Sequence, residues 1–290
     1  MITIFTIPKP FNGHIKVIQR NAIKSWMQLK PQCEIILFGD DKGVSEIAQE
    51  FKLLNIPNID KNEFGTPLLD SVFNLAQQHS SNNILVYVNS DIIIFNDLIT
   101  TLKKVKFSKY IISGRRYNFD ISDEINFDDG SYLDLLKKIK IEGKLHGFSG
   151  KDYFIFKKGT VDMQKFAVGR PGWDDWILYH MREKSIPIIN STNSINVIHQ
   201  NHDYSHSKFG EKIRVGGPEW DRNNATIGSF TNIISLRDAD WIIDNDQLVR
   251  PPFPLRMYNI LSYFYLWRLL LAVKTRLLLF ISRIFISTKL

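Results

Sequence analysis

The chain has 290 residues, of which 44% are hydrophobic and 23% are charged, the composition of an ordinary globular protein rather than a disordered or fibrous one. This length can bury a sizeable core in one large domain, or in a domain with an appendage. The net charge of +7 favours an anionic partner such as a nucleotide, a nucleic acid or an acidic membrane. The single cysteine, Cys33, excludes an internal disulfide framework, and the N-terminus lacks a secretory signal, so we expect a cytoplasmic protein.

Short apolar runs alternate with helical periodicities in the first part of the chain. Strands are predicted at residues 1–7, 33–38 and 84–88, and helices at residues 13–29, 44–51 and 66–79, the last capped by Thr66. This order of strands and helices predicts an α/β fold with a parallel sheet and right-handed crossovers.

Three small polar residues end the third of these strands: Asn89, Ser90 and Asp91. Open α/β sheets bind ligands at the carboxyl ends of their strands. A carboxylate there is a suitable ligand for a hard divalent cation such as Mn²⁺ or Mg²⁺, which leaves positions free for phosphate oxygens. Since the same residue types are common in turns, an ordinary strand-ending turn is the alternative.

A doubly wound domain whose third main strand ends in an Asp-bearing turn resembles the GT-A class of nucleotide-sugar glycosyltransferases, over residues 1–207. That class most often has Asp-x-Asp at this turn, so the resemblance carries the metal role to Asp91 only. It implies a GT-A-like (Rossmann-like) mixed, mostly parallel sheet with helices on both faces. It also implies nucleotide or donor contacts for the ends of the first three strands, namely Thr6, Ile7, Pro8, Asn89, Ser90 and one of Asp40 and Asp41. For those two acids, a cap and turn before the next helix is the alternative.

A glycine-flanked loop, Gly147-Phe148-Ser149-Gly150, precedes a strand predicted at residues 153–156. The glycines allow the backbone to approach a ligand closely, and an aromatic ring suits a sugar. The resemblance implies that Gly147 and Ser149 help to hold the donor sugar. A tight turn before a core strand is the alternative.

Two adjacent acids, Asp174 and Asp175, lie at the predicted start of a helix, after Gly172. Carboxylates are favoured at a helix N-terminus, which accounts for one of the two. Neighbouring positions on a helix point about 100° apart, so one acid would address the site and the other would cap or orient. In inverting members of the GT-A class an acid at this position deprotonates the acceptor hydroxyl. The resemblance therefore implies that Asp175 is the general base, with Asp174 as the second candidate.

Three of the seven histidines, His199, His202 and His206, fall within eight residues directly after a predicted strand. Surface composition does not explain this concentration, and imidazole binds Mn²⁺ and similar ions. Many GT-A enzymes complete their metal site with a late histidine, so His199 and His202 are the candidates to join Asp91. A zinc site is disfavoured, because Cys33 is distant and the nearby acids favour a harder ion.

The remaining elements carry less chemistry. Strands are predicted at residues 110–113, 186–190 and 195–198, and one or two helices within residues 218–246. Arg115 and Arg116 follow the first of these strands, where a solvated face is favoured over a contact with phosphate. A stiff, proline-rich break then separates a GT-A-like domain at residues 1–250 from a C-terminal segment at residues 251–290.

These features favour an enzyme that transfers a sugar from a UDP-linked nucleotide-sugar donor to a hydroxyl acceptor, with a divalent metal and with inversion. A sugar nucleotidyltransferase is an alternative, although the loop after the first strand, Thr6-Ile7-Pro8-Lys9-Pro10, is not Gly-rich. A non-catalytic membrane-associated scaffold or carbohydrate-binding protein is another. Nucleic-acid binding is disfavoured, because the positive charge is concentrated near the C-terminus amid apolar residues.

Residues 257–286 contain no acid, and basic residues are spaced through a sequence dominated by Leu, Ile, Phe and Tyr. No window reaches the roughly 20 apolar residues needed to span a bilayer. On a helical wheel an apolar stripe lies opposite a basic side: Leu266, Val273, Leu277, Phe280 and Ile284 against Arg268, Arg276 and Arg283. This pattern predicts an amphipathic helix on an anionic membrane surface, and hence a lipid-linked or membrane-proximal glycan acceptor. A helix packed on the domain or on a partner subunit is the alternative.

We expect the full-length protein to float with anionic liposomes more strongly than with neutral ones, because the basic side of the tail faces the headgroups. A chain truncated after Pro254 should not float with either. Flotation of both forms measures this difference. If both float equally, or neither floats, the tail is not a membrane anchor.

Overall fold

A computed structural model describes residues 1–130, 132–202, 216–245, 247–253 and 273 of the chain. The predicted tail helix at residues 257–286 therefore lies outside the described residues, apart from Val273, and so does His206. Among the described residues, no helix is both long enough and apolar enough to cross a membrane. The boundary predicted at residue 250 stays a prediction.

Thirteen strands and seven α-helices lie within the described part of the chain. The strands are β1 (Ile2–Thr6), β2 (Glu34–Phe38), β3 (Leu54–Ile56), β4 (Ile84–Val88), β5 (Ile92–Ile94), β6 (Ile111–Ser113), β7 (Tyr117–Phe119), β8 (Lys144–Leu145), β9 (Tyr153–Lys157), β10 (Ile188–Asn190), β11 (Val197–Gln200), β12 (Trp241–Asp244) and β13 (Gln247–Val249). The helices are α1 (Gly13–Met27), α2 (Val44–Phe51), α3 (Leu69–His79), α4 (Asp97–Leu102), α5 (Tyr132–Glu142), α6 (Trp173–Glu183) and α7 (Pro218–Ile227).

Nine of the described strands form one sheet, in the order β13-β12-β10-β6-β9-β4-β1-β2-β3. Neighbouring strands are parallel, except that β9 is antiparallel to β4 and β6, and β13 is antiparallel to β12. The prediction of a mixed, mostly parallel α/β sheet is therefore confirmed. Because β9 runs against its neighbours, its first residue, Tyr153, lies opposite Val88 at the end of β4. The loop before β9 thus meets the carboxyl end of β4.

The side chains of the sheet alternate between its two faces, since successive residues of a strand point to opposite sides. On one face Ile4 and Val86 belong to a buried cluster with residues of α1, α2 and α4. On the other face Phe5 and Tyr87 belong to a buried cluster with residues of α3 and α6. The prediction of helices on both faces of the sheet is confirmed.

A second sheet contains four of the described strands, in the order β5-β11-β7-β8. Strand β5 begins directly after Asn89-Ser90-Asp91 and pairs antiparallel with β11. In this register Ile92 lies opposite His199. The pairing therefore brings the residues just before β5 next to the end of β11.

The predicted helix start at Thr66 and Pro67 is wrong, because α3 begins at Leu69. The side-chain oxygen of Asn62 accepts hydrogen bonds from the backbone amides of Phe64 and Thr66. Pro67 then forms an isolated antiparallel bridge with Lys61. These bonds hold the segment in a turn and an extended stretch, so the helix starts only after it.

Two further parts of the sheet differ from the predictions. Strand β3 lies between α2 and α3 in the chain and pairs parallel with β2, where no strand was predicted. Residues 218–246, for which helices were predicted, contain α7 but also β12, which pairs with β10 and β13. Ile243 of β12 is buried and Trp241 packs on Phe107, with ring centroids 5.6 Å apart. These two residues are two positions apart, so they point to the same face of the strand and pack in the same cluster.

Phe73 of α3 lies at the centre of an aromatic cluster on one face of the sheet. Its ring centroid is 5.1 Å from that of Phe5, 5.3 Å from that of Tyr87 and 5.6 Å from that of Phe156. All four side chains are buried. Tyr87 in turn lies 5.4 Å from Trp173, the first residue of α6, so the cluster joins α3 to the start of α6.

We expect Phe73→Ala to lower the free energy of unfolding by about 3–5 kcal/mol, because it removes buried contacts and leaves a cavity. Urea denaturation followed by circular dichroism measures the change. Phe64→Ala is the matched control, since Phe64 is 52% exposed, and it should change stability by about 0.5 kcal/mol or less. Equal effects of the two substitutions would contradict the central place of Phe73.

Candidate active site

The candidate site lies where the carboxyl ends of β1, β4 and β6 meet the loop before β9. Asn89 joins two of these segments, because its backbone and side-chain amides donate to the carbonyl oxygen and the carboxylate of Asp152, at 2.9 and 2.8 Å. The side-chain oxygen of Asn89 accepts from the Tyr87 hydroxyl at 3.1 Å. The Asn89 side chain therefore links the end of β4 to the loop before β9, because its amide nitrogen donates to Asp152 and its oxygen accepts from Tyr87.

Asp91, His199 and His202 lie together at this edge. The Nε2 atoms of His199 and His202 are 3.7 and 3.2 Å from Asp91 Oδ2. The atoms that could bind a metal, one from each residue, lie within 4.8 Å of one another. The pairing of β5 with β11 produces this triad, because Ile92 lies opposite His199 and Asp91 directly precedes Ile92.

The chemistry of this triad fits a divalent cation. Asp91 Oδ1 and His199 Nδ1 are buried, and neither has a hydrogen-bond partner among the described residues. Burial alone would raise the pKa of Asp91, but His199, His202 and Lys9 hold it well below its usual range, so the carboxylate is charged. Burial lowers the pKa of His199, so a metal displaces the imidazole proton more easily. Mn²⁺ and Mg²⁺ both accept carboxylate oxygen, and Mn²⁺ also accepts imidazole.

Three buried amide side chains hold the backbone around the triad. Gln200 donates to the carbonyl oxygen of Asp91 at 3.1 Å and accepts from the Asn21 amide at 3.0 Å. Gln19 accepts from the Ser90 hydroxyl at 2.8 Å, and it also binds the backbone of the loop after β1. These amides connect α1 to the turn after β4 and to β11. Sequence reasoning did not single them out.

Arg115 and Arg116 do not form the solvated face that was predicted, because both are half-buried at the end of β6. Arg116 forms a salt bridge with Asp152, and its charge acts on His199. The guanidinium carbon of Arg115 lies 4.8 Å from the centroid of the Phe148 ring. Strand β9 inserts between β4 and β6, and this insertion brings Asp152 to Arg116.

Helix α6 starts at Trp173, so Asp174 and Asp175 lie in its first turn. Gly172 precedes it with φ of 104°, and a Cβ there would lie 2.6 Å from a side-chain carbon of Ile227. The position therefore requires glycine. Trp173 packs against β4 and β9 in the core, which fixes the start of the helix relative to the sheet.

A buried lysine binds both acids. Lys151 Nζ contacts Asp175 Oδ1 and lies 3.5 Å from Asp174 Oδ2. Burial alone would lower the pKa of Lys151, but the two carboxylates hold it above its usual value. Burial raises the pKa of Asp175 to about 6, although the Lys151 charge opposes this rise. A carboxylate with a pKa near neutral pH, of which 26% of the side chain is exposed, is suited to accept a proton.

The residues predicted to line the nucleotide follow β1 and β2 at the same edge of the sheet. Thr6 is the last residue of β1, and its buried hydroxyl oxygen has no hydrogen-bond partner among the described residues. Ile7 is half-buried and Pro8 is buried. Asp40 and Asp41 are exposed beyond the end of β2.

Gly147 and Ser149 are exposed in the loop between β8 and β9. The Ser149 carbonyl oxygen accepts from the backbone amide of Lys151 at 3.1 Å, so the loop leads directly into the lysine that binds the acid pair. A Cβ at Gly147 would meet no described atom within 4 Å. The glycine therefore borders open space.

Two consecutive residues connect the triad with the acid pair. Lys151 contacts Asp175, and the next residue, Asp152, contacts Asn89 and Arg116. Asp152 also acts electrostatically on His199. The structure thus brings the triad and the acid pair to one edge of the sheet, whereas sequence reasoning assigned no role to the residues that join them.

A scan against protein-family models gives no match, and a search of curated protein sequences gives none either. A search of solved structures gives matches of low sequence identity. One is TarS 1–349 from S. aureus in complex with UDP, with 12% identity, a TM-score of 0.32 and coverage of 43% of this chain. The present chain spans 38% of the length of that TarS chain.

Two other solved structures match over more of this chain. A protein from Desulfovibrio desulfuricans G20, inferred to be a nucleotide-diphospho-sugar transferase, has 11% identity and a TM-score of 0.44, and the match covers 78% of this chain and 96% of that one. Glucosyl-3-phosphoglycerate synthase from Mycobacterium tuberculosis, in complex with Mn²⁺, UDP and glucosyl-3-phosphoglycerate, has 12% identity and a TM-score of 0.41. That match covers 70% of this chain and 72% of the synthase.

Proposed function

We propose that this protein is a glycosyltransferase that moves a sugar from a UDP-linked nucleotide-sugar donor to a hydroxyl acceptor, with the help of a divalent metal. One observation carries the proposal: a triad suited to a metal and a carboxylate suited to accept a proton lie at one edge of the sheet. The edge in question is the carboxyl end of parallel strands, where open α/β sheets bind their ligands. In a transfer from a diphosphate to a hydroxyl, a metal can stabilise the leaving diphosphate and a base can accept the hydroxyl proton.

In this proposal the donor lies along the ends of β1, β2 and β4. Asp91, His199 and His202 would hold Mn²⁺ or Mg²⁺, and the cation would supply positive charge to the donor diphosphate. The nucleotide and sugar would contact the neighbouring residues, namely Thr6, Ile7, Pro8, Asp40 or Asp41, Asn89, Ser90, Gly147 and Ser149. The buried, unpartnered hydroxyl of Thr6 supports its place in this set.

Asp175 would accept the proton of the acceptor hydroxyl as that oxygen bonds to the anomeric carbon of the sugar. The bond from this carbon to the diphosphate oxygen breaks in the same step, and the nucleoside diphosphate leaves. Lys151 contacts the Asp175 carboxylate and orients it, and the same ammonium group lies 3.5 Å from Asp174 Oδ2. Direct attack of this kind inverts the configuration at the anomeric carbon.

We also propose that the acceptor is a lipid-linked or membrane-proximal glycan, and that the protein lies on the cytoplasmic side of a membrane. The support is the acid-free, basic and amphipathic sequence of residues 251–290. Each basic residue near an anionic membrane surface contributes about 1 kcal/mol to binding.

We expect Asp91→Asn to weaken binding of Mn²⁺, and Mn²⁺-dependent binding of UDP, by about tenfold or more, because the neutral amide loses the charge that attracts the cation. Calorimetric titrations with Mn²⁺ and UDP, with chelator-treated protein as the metal-free reference, measure both. Asp134→Asn is the matched control, since Asp134 is exposed on α5 and bonds only to Lys137 among the described residues. Unchanged Mn²⁺-dependent binding in Asp91→Asn would exclude this triad as the metal site.

We expect Asp175→Asn to lower turnover by about 10²–10⁴-fold with little change in UDP affinity, because the proton acceptor is lost. Wild-type turnover should rise with pH through about 6 and level off above it, since the carboxyl must be deprotonated to act as a base. Initial rates of UDP release on both sides of that pH measure the profile, and the variant should lack the rise. Asp174→Asn is the matched control, and a larger loss there would move the base role to Asp174. Full activity in both variants would contradict the mechanism.

A further inference from the structure

Two arginines from distant parts of the chain converge on the ring of Phe148. The guanidinium carbons of Arg115 and Arg237 lie 4.8 and 5.0 Å from the ring centroid, so they are at most 9.8 Å apart. Arg115 follows β6, and Arg237 lies in the short 3-10 turn Leu236–Asp238. Among the described residues, neither arginine forms a salt bridge with a carboxylate, whereas other arginines near the site do.

Arg115 and Arg237 therefore carry positive charges that no salt bridge within the described residues neutralises. Arg116 pairs with Asp152, Arg170 with Glu219, and Arg182 lies 3.7 Å from a carboxylate oxygen of Asp238. Cation–π contact with Phe148 leaves the positive charge of both guanidinium groups in place. Two such charges within 9.8 Å of each other attract an anionic ligand.

Both arginines are held in position before any ligand arrives. The backbone amide of Arg115 donates to Thr192 Oγ1 at 3.0 Å, and its Nε donates to the His146 carbonyl oxygen. The backbone amide of Arg237 donates to Ser235 Oγ at 3.2 Å, within a capped turn. The Arg115 side chain, fixed in this way, loses less entropy when it binds a ligand.

The segment that leads into Arg237 contacts the helix that carries the acid pair. The backbone amide of Ile234 donates to the Asp175 carbonyl oxygen at 3.3 Å, and that of Leu236 donates to the Phe148 carbonyl oxygen at 3.5 Å. The residue after Leu236 is Arg237, so one short segment touches both the base-bearing helix and the Phe148 loop. An anion bound here would belong to the molecule whose hydroxyl Asp175 deprotonates.

We propose that Arg115 and Arg237 bind a phosphate group of the acceptor, so that the proposed acceptor is a phosphorylated glycan. This assignment to the acceptor rests on the proposed transferase function. The guanidinium fork matches phosphate oxygens and binds them through two charge-assisted hydrogen bonds. The donor also carries phosphate, and the experiment separates these two sources.

The first arm uses inorganic phosphate as the probe with the full-length protein. Calorimetry should show phosphate binding that Arg237→Gln and Arg115→Gln each weaken about tenfold, because each removes one charged donor. Arg250→Gln is the matched control, since the Arg250 guanidinium carbon lies 3.8 Å from the Trp241 ring in a similar stacking contact. Arg237 is exposed, so its substitution leaves the core intact. Arg115 is half-buried, so near-ultraviolet circular dichroism checks that Arg115→Gln keeps the native packing. No phosphate binding by the wild-type protein, or equal binding in all variants, would overturn the proposal.

The second arm titrates UDP with Mn²⁺. UDP-saturated protein should still bind phosphate, and Arg237→Gln should keep its UDP affinity within about twofold. If UDP displaces phosphate and Arg237→Gln weakens UDP to the same extent, the arginines serve the donor, and the acceptor assignment is wrong. Arginine-dependent phosphate binding without any UDP binding would support the anion site and overturn the transferase proposal instead.

Discussion

A charged carboxylate away from water is costly unless opposite charges or hydrogen-bond donors surround it. Asp91 is buried at the end of β4, and the imidazoles of His199 and His202 lie against one of its two oxygens. The surrounding structure keeps this costly group in place, because Gln200 binds the Asp91 carbonyl oxygen and belongs to the strand that pairs with β5. The hydrophobic core does not require a carboxylate at this point, so its presence supports the proposed metal site.

Some site residues could be placed from the sequence alone, because the strand or helix that contains each of them determines its position. Asp91 ends an apolar strand, and Asp174 and Asp175 begin a helix after a glycine, so each could be placed from its immediate neighbours. The parallel sheet followed in the same way from the alternation of strands and helices. The concentration of histidines after a strand indicated a ligand cluster, and the family resemblance selected His199 and His202 from it.

Residues whose role depends on contacts between distant segments could not be found in this way. Arg116 and Asp152 meet because β9 inserts antiparallel between β4 and β6, and a short apolar run does not specify its direction or its neighbours. The three residues of β3 are too few to show a period. Gln19 and Gln200 resemble surface residues in the sequence, since burial of an amide is decided by partners elsewhere in the fold.

The pairing of β5 with β11 has a consequence for how the protein is made. Asp91 and His202 are 111 positions apart in the sequence. During translation, Asp91 is therefore synthesised long before His199 and His202. Contacts between such distant segments form late, because a long loop must close first. A nascent or prematurely terminated chain that lacks β11 can complete the strands around Asp91 but offers a cation a single ligand. Metal uptake at the triad would therefore stabilise finished domains and leave truncated ones unprotected.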